Sequence, residues 1–161
     1  MAIFAAVGQN GTRARECAAG HRRGGSRPDG YRGGEVDRDG VLAANAAFYR
    51  AFSKADLAAM DALVARRHPV AVIHPGWPAV SDRGAVMETW RMIFAQGRQA
   101  VRPVNPEVFA YGEAALVVVY EKAGDVYLAA SNLFIREDGD WRLVHHQAGP
   151  ISAPTPDMPL M

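Results

Sequence analysis

The sequence predicts an α+β domain in which three short helices pack on a strongly curved antiparallel sheet. Three observations carry that prediction. Apolar residues recur at helical spacing in three segments between Val41 and Phe94. From about residue 100 onward the chain reads instead as successive strands separated by turn-forming residues. A short β-branched run, Val70 to His74, is inserted before the third helix. Helices first and a meander afterwards is an α+β order. The sheet has to curl over the helices to cover their stripes, which leaves a cone with an open mouth, a common setting for a small-molecule pocket.

Each element has a local reason. Val41, Leu42, Asn45, Phe48, Tyr49 and Phe52 form one stripe, interrupted over Ser53 to Ala55. Asp56 can cap a second helix with Leu57, Met60, Leu63 and Val64 on its buried side. His68-Pro69 is expected to end that helix, because proline drives the preceding residue out of the α region. After the strand ending at His74, Pro75-Gly76-Trp77-Pro78 forces a loop. Ser81 or Asp82 caps a third helix, whose stripe is Val86, Trp90, Ile93 and Phe94 and whose natural stop is Gly97. A strand over 100–110 carries Pro103 and Pro106, which predicts an edge or a bulge. Ala114 to Glu121, with Leu116, Val117, Val118, Val119 and Tyr120, is a strong strand, and Ala123-Gly124-Asp125 turns it back. Val126 to Arg136 follows, then the turn Glu137-Asp138-Gly139-Asp140, then a last strand from Trp141 to Ala148.

Composition bounds the function. A chain of 161 residues, 49% hydrophobic and 22% charged, suits one core and is too short for two. Residues 1–37 are expected to be a disordered Arg/Gly-rich tail, the domain to span 38–151, and 152–161, with three prolines, to be an extended tail. Residues 1–40 hold seven arginines against five acidic residues, so the remainder of this +1 chain is slightly acidic. No basic domain is left to track nucleic-acid phosphates. No apolar run is long enough for a membrane helix. The lone cysteine, Cys17, rules out an internal disulfide and a cysteine-built zinc site, and a cytoplasmic setting is expected. There is no glycine-rich phosphate loop after a strand and no nucleophile elbow.

Five pieces of sequence together resemble a known family. They are Ala47-Phe48-Tyr49, Asp56 to Met60, His74-Pro75-Gly76-Trp77-Pro78, Arg83 to Trp90, and Trp141 to His146. From about Val41 to Ile151 this pattern resembles the SnoaL-like branch of the NTF2-like superfamily, whose fold is the cystatin-like α+β cone. The resemblance implies a pocket for a small, largely apolar molecule. It also implies either cofactor-free proton transfer of isomerase, cyclase or dehydratase type, or a non-catalytic dimeric binding module.

His74 ends the inserted strand before a rigid loop and is a candidate general base near neutral pH. The resemblance implies the same role, since the related ketosteroid isomerases carry an aspartate base before a similar proline. Asn132, an amide among apolar neighbours, is a candidate donor to a developing oxyanion, or else a structural cross-strand bond. Phe48 stands where those isomerases have a tyrosine, which leaves Tyr49 as the neighbouring hydroxyl. His145 and His146 are adjacent on a strand and face opposite ways. Val144, His146 and Ala148 share one face and Trp141, Leu143, His145 and Gln147 the other, and the resemblance implies that the pocket is on the face of His146, since the cyclases use the face bearing Ala148. The resemblance puts an acidic residue of the cyclases where this chain has Ala148. Tyr49, Trp77, Trp90 and Tyr120 complete the candidate ligand contacts. His74, His146 and Glu121 are the conceivable metal ligands, but their spacing selects no site, and neither metal nor cofactor is expected. Tyr127, Leu133, Leu143 and His145 are expected on a convex sheet face that pairs with a second copy of the chain.

Overall fold

A computed structural model describes residues 37–151. The expectations for the two tails, including Cys17, fall outside the described residues except at Asp37. Helix α1 spans Arg38–Lys54, capped by the Asp37 carboxylate, which accepts from the Gly40 N–H at 2.7 Å. Helix α2 spans Leu57–Leu63, with Asp56 as its cap. Helix α3 spans Arg83–Phe94, and of the two candidate caps Asp82 is the one used. The strands are β1 (Ala71–Ile73), β2 (Val80–Ser81), β3 (Val101–Tyr111), β4 (Ala114–Ala123), β5 (Val126–Glu137) and β6 (Asp140–Pro150).

The six strands form one sheet in the order β2-β1-β6-β5-β4-β3. The meander β3 to β6 is antiparallel, as its hairpin turns dictate. The sheet as a whole is mixed, because β1 pairs parallel with β6, placing Val72 opposite His146. This corrects the expectation of an all-antiparallel sheet. Strand β2 was not expected either; it pairs antiparallel with β1 and turns the Pro-Gly-Trp-Pro segment into a hairpin loop. β3 meets both predictions made from its prolines. It is an edge strand, and its register shifts between Val104 and Glu107, where Asn105 takes a φ of 52°.

Helix α2 stops at Leu63, well before Pro69. Val64 is already extended (ψ 132°), and the Ala65 N–H donates to the Leu143 carbonyl of β6. The next two N–H groups, of Arg66 and Arg67, donate to the buried Glu137 carboxylate, which also bonds His68 Nδ1 at 3.0 Å. The backbone groups a longer helix would have used internally are satisfied by the sheet instead. The helix thus ends short of Pro69, and the N–H groups that follow it are taken by β6 and by Glu137.

The concave face of the sheet carries Val117 and Val119 of β4, Leu128, Ala130 and Phe134 of β5, and Ala148 of β6 against the helices. Phe48 and Phe52 of α1 meet Trp90 and Phe94 of α3 with ring centroids 5.3–6.2 Å apart. The expected division of β6 into faces fails at one point. Leu143 pairs with Phe134 and His145 with Leu133, so Val144 is an extra, bulged residue. The bulge puts Trp141 and Leu143 on the same buried side as His146 and Ala148. Leu143, only 2% exposed, is thus core and cannot belong to a convex dimer face.

Candidate functional site

His146, Asn132 and Glu121 occupy the concave face of three neighbouring strands, and Asn45 and Tyr49 project onto them from α1. All five are nearly inaccessible. The Asn132 Nδ2 amide donates to Asn45 Oδ1 at 2.8 Å and to the Tyr49 hydroxyl at 3.3 Å. Its Oδ1 is then the acceptor facing His146 Nδ1 at 2.7 Å. That assignment makes His146 an Nδ1–H tautomer, with the Nε2 lone pair uncommitted. Tyr49 in turn donates its hydroxyl proton to Glu121 Oε1 at 2.9 Å.

The second imidazole is fixed in the same way with its nitrogens exchanged. Thr89 Oγ1 donates its single proton to the Val86 carbonyl at 2.7 Å, so it accepts from His74 Nε2 at 2.9 Å. His74 is therefore an Nε2–H tautomer that keeps its lone pair on Nδ1. The His74 and His146 rings lie 6.2 Å apart, and Trp90 packs on both, at 4.7 and 5.7 Å. Trp90 is fully buried, and its indole N–H has no hydrogen-bond acceptor among the described residues.

Burial controls the charges. It pushes His74 down to about 4 and His146 down to about 3, so both imidazoles are neutral at neutral pH. It lifts Glu121 up to about 7, against the smaller opposing effect of the Tyr49 hydrogen bond. Burial, reinforced by the Glu121 charge, holds Tyr49 protonated well above the usual tyrosine range. Glu121 Oε1 is 4.0 Å from His146 Nε2, a pairing that would be ionic only with a charged imidazole. With the imidazole neutral it is neither an ion pair nor, at that distance, a hydrogen bond.

The structure thus brings His74, His146, Asn132, Tyr49 and Trp90 together and separates two other candidates from them. Trp77 is half-buried beside His74, with ring centroids 5.5 Å apart, at the edge of the cluster. Tyr120 is a correction: it lies on the outer face of β4, because inward and outward positions alternate and the buried ones are Val117, Val119 and Glu121. Asn132 lies on the concave face with both its N–H groups engaged, which leaves none for an oxyanion. Its role in this geometry is to orient His146. Three members were not singled out as acid–base or positioning residues from sequence. Asn45 sat unremarked as a polar residue inside the apolar stripe of α1. Glu121 continues the inward alternation of β4. Thr89 falls one turn after Val86, on the buried side of α3. Among the described residues, no group of three or more His, Cys, Asp or Glu side chains is placed to hold a metal ion. None of the described helices is long and apolar enough to cross a membrane.

Tyr49 is the one member of the network that also borders a cleft among the described residues. A cleft of about 270 Å³ between α1 and β3 is lined by Ala46, Tyr49, Arg50, Ser53, Val101, Arg102 and Pro103. Tyr49 contributes to its wall while its hydroxyl reaches inward to Glu121.

A helical layer in a curled sheet, with a polar cluster on the concave face, is the architecture of the NTF2-like, cystatin-like cone. The SnoaL-like domain family matches residues 41–154, and the chain belongs to that family. Solved structures agree. A candidate dehydratase of the NTF2-like family from Streptomyces avermitilis is 27% identical, with a TM-score of 0.67 over 74% of this chain and 99% of its own. A protein from Thiobacillus denitrificans, named as a candidate calcium/calmodulin-dependent protein kinase type II association domain, is 32% identical, with a TM-score of 0.62 over 69% of this chain and 94% of its own. A candidate ketosteroid isomerase from Parabacteroides distasonis shares the fold at 11% identity, with a TM-score of 0.59 over 76% of this chain and 94% of its own. No curated protein matches the chain.

Proposed function

We propose that this domain binds a small, largely apolar molecule and performs proton transfer on it without a cofactor, in a reaction of dehydratase or isomerase type. The observation that carries the reading is the hydrogen-bonded run from Tyr49, in the wall of the cleft, to the buried Glu121, with His146 held behind it by Asn132. A general acid–base works best when its pKa lies near the operating pH. Glu121, at about 7, meets that condition, whereas the imidazolium forms of His74 and His146 are too acidic to persist. The proposed base is therefore Glu121, in place of His74. It takes a proton from carbon, and the uncommitted indole N–H of Trp90 is the donor on hand for charge that develops on oxygen. His146 Nε2 and His74 Nδ1 remain as neutral hydrogen-bond acceptors. The name of the Streptomyces avermitilis relative supports the same class of chemistry.

The test is α-proton exchange in D2O, followed by NMR on a panel of small aryl ketones and β-hydroxy acids. Exchange that disappears in Glu121→Gln, with the fold intact, is the expected result. Equal exchange in the variant rejects Glu121 as the base. No exchange on any member of the panel favours a binding module.

One observation favours a dimer as part of the same proposal. The strand register aligns Phe109, Leu116 and Leu133 in a row across the outer face of the sheet, and Phe109 and Tyr111 are 39% and 56% exposed. A second copy of the chain is the proposed occupant of that face. Sedimentation velocity should show a dimer for the wild type and a folded monomer for Leu133→Lys. A monomeric wild type rejects this part.

A further inference from the structure

We infer that the cleft between α1 and β3 is a carboxylate-binding site, and that the molecule brought to the network is a small organic acid with an apolar body. The inference rests on the proposed proton-transfer activity only in treating this anion as substrate; the binding site itself stands on separate observations.

The first is the distribution of ion pairs. Six described arginines are matched to carboxylates: Arg66 and Arg83 to Asp61, Arg67 to Asp138, Arg91 to Glu88, Arg136 to Asp37 and Arg142 to Asp140. Arg38 donates to the Val108 carbonyl. Among the described residues, Arg50, Arg98 and Arg102 alone of the arginines have no side-chain partner, and two of these three border the cleft. Among the described residues, no acidic side chain lines it. The second observation is the rest of the wall. Ala46, Val101, Pro103 and the Tyr49 ring offer apolar surface, with Arg50 one turn of α1 from Ala46. An anionic head at the arginines would lay its body along that surface toward Tyr49. A guanidinium matches the planar geometry of a carboxylate. The volume, about 270 Å³, lies just below the range of about 300–1,000 Å³ for drug-sized ligands, which sets the size class as small.

The probes are trans-cinnamate and cinnamamide, which share a body and differ in the charge of the head. Calorimetric titration of the full chain at low salt should show cinnamate binding at least about tenfold more tightly than cinnamamide. Arg50→Gln and Arg102→Gln should each weaken cinnamate several-fold and leave cinnamamide unchanged, and added salt should weaken cinnamate alone. Both side chains are exposed, so thermal midpoints of the variants should match the wild type and exclude misfolding as the cause. Equal binding of the two probes, no binding of cinnamate, or cinnamate affinity indifferent to both substitutions would each overturn the inference. Loss of the arginine-dependent binding alongside Glu121-dependent exchange rejects the cleft and keeps the proton-transfer reading. The converse pair of results rejects that reading and keeps the cleft.

Discussion

Glu121→Gln should stabilise the domain at alkaline pH and leave it almost unchanged in acid. The carboxyl is 2% exposed, accepts one hydrogen bond from Tyr49 and titrates at about 7 instead of 4.5. Between those two values the folded chain keeps a proton that the unfolded chain has released. Folding stability from this group is therefore complete below about pH 4.5 and is lost as pH rises through 7. The gap of about 2.5, at about 1.36 kcal/mol per pH unit, sets a ceiling of about 3 kcal/mol on that loss. Glutamine retains an oxygen to accept the Tyr49 proton and has nothing to titrate. The two buried imidazoles act in the opposite sense, losing stability as pH falls from 6.5 toward about 4 and 3, and they do so equally in both proteins. They cancel when the variant is compared with the wild type. Thermal unfolding of both proteins at about pH 4.5, 6 and 8 is the assay. The difference in midpoint should grow from near zero to about 10 °C, since 1 kcal/mol moves a domain of this size by about 3–5 °C. A difference that does not change with pH would refute the reasoning, because Glu121 would then share one protonation state with the unfolded chain throughout.

Three further outcomes follow from the same geometry. Asn132→Leu removes three buried hydrogen bonds and leaves the His146 Nδ1–H without its acceptor, so urea unfolding should show a loss of about 2–4 kcal/mol. Thr89→Val deprives only the His74 Nε2–H of its acceptor and should lose about 1–2 kcal/mol, an ordering that the same urea curves check. Glu137 is held well below the usual carboxylate range, first by its hydrogen bond with His68 and then by the Arg66 and Arg67 N–H groups. Its contribution is present above about pH 4.5 and fades as pH falls toward 2, so Glu137→Gln should flatten the acid limb of the wild-type stability curve.

Most of the fold is legible in the sequence because its signals are local. Stripe spacing identifies all three helices, and the turns at Gly124-Asp125 and Asp138-Gly139 mark the last two hairpins. The parts that are not legible depend on partners distant in sequence. β1 is three residues long, and nothing within it says that it will lie parallel to a strand some seventy residues later. The backbone beyond α2 is held by Leu143 and Glu137, both distant in sequence. The site shows the same division. His74, Asn132 and His146 are conspicuous as polar residues in apolar runs. The face of His146 could be read from alternation near it, whereas that of Leu143 could not, because the bulge at Val144 breaks the period between them. Glu121 is read correctly only when the phase of β4 is counted from Val117 and Val119.

The strongest reason to read the network as more than a packed core is that Glu121 is poorly suited to structure alone. A purely structural acceptor for Tyr49 would be a glutamine, which makes the same hydrogen bond at every pH and never places a charge in an apolar interior. Glutamate is close to half ionised at neutral pH in this position, and among the described residues no cation offsets it, since His146 is neutral and 4.0 Å away. The usual order of acidities is inverted here, with the carboxyl a weaker acid than either imidazolium. Protons that enter the cluster therefore rest on Glu121, hydrogen-bonded to Tyr49. Groups whose surroundings drive their acidities apart mark sites of acid–base chemistry more often than they mark scaffolding. A Glu121→Gln variant that is more stable and no longer exchanges protons would join the two halves of this argument. A variant that is more stable and fully active would show the carboxylate to be a tolerated defect of the core.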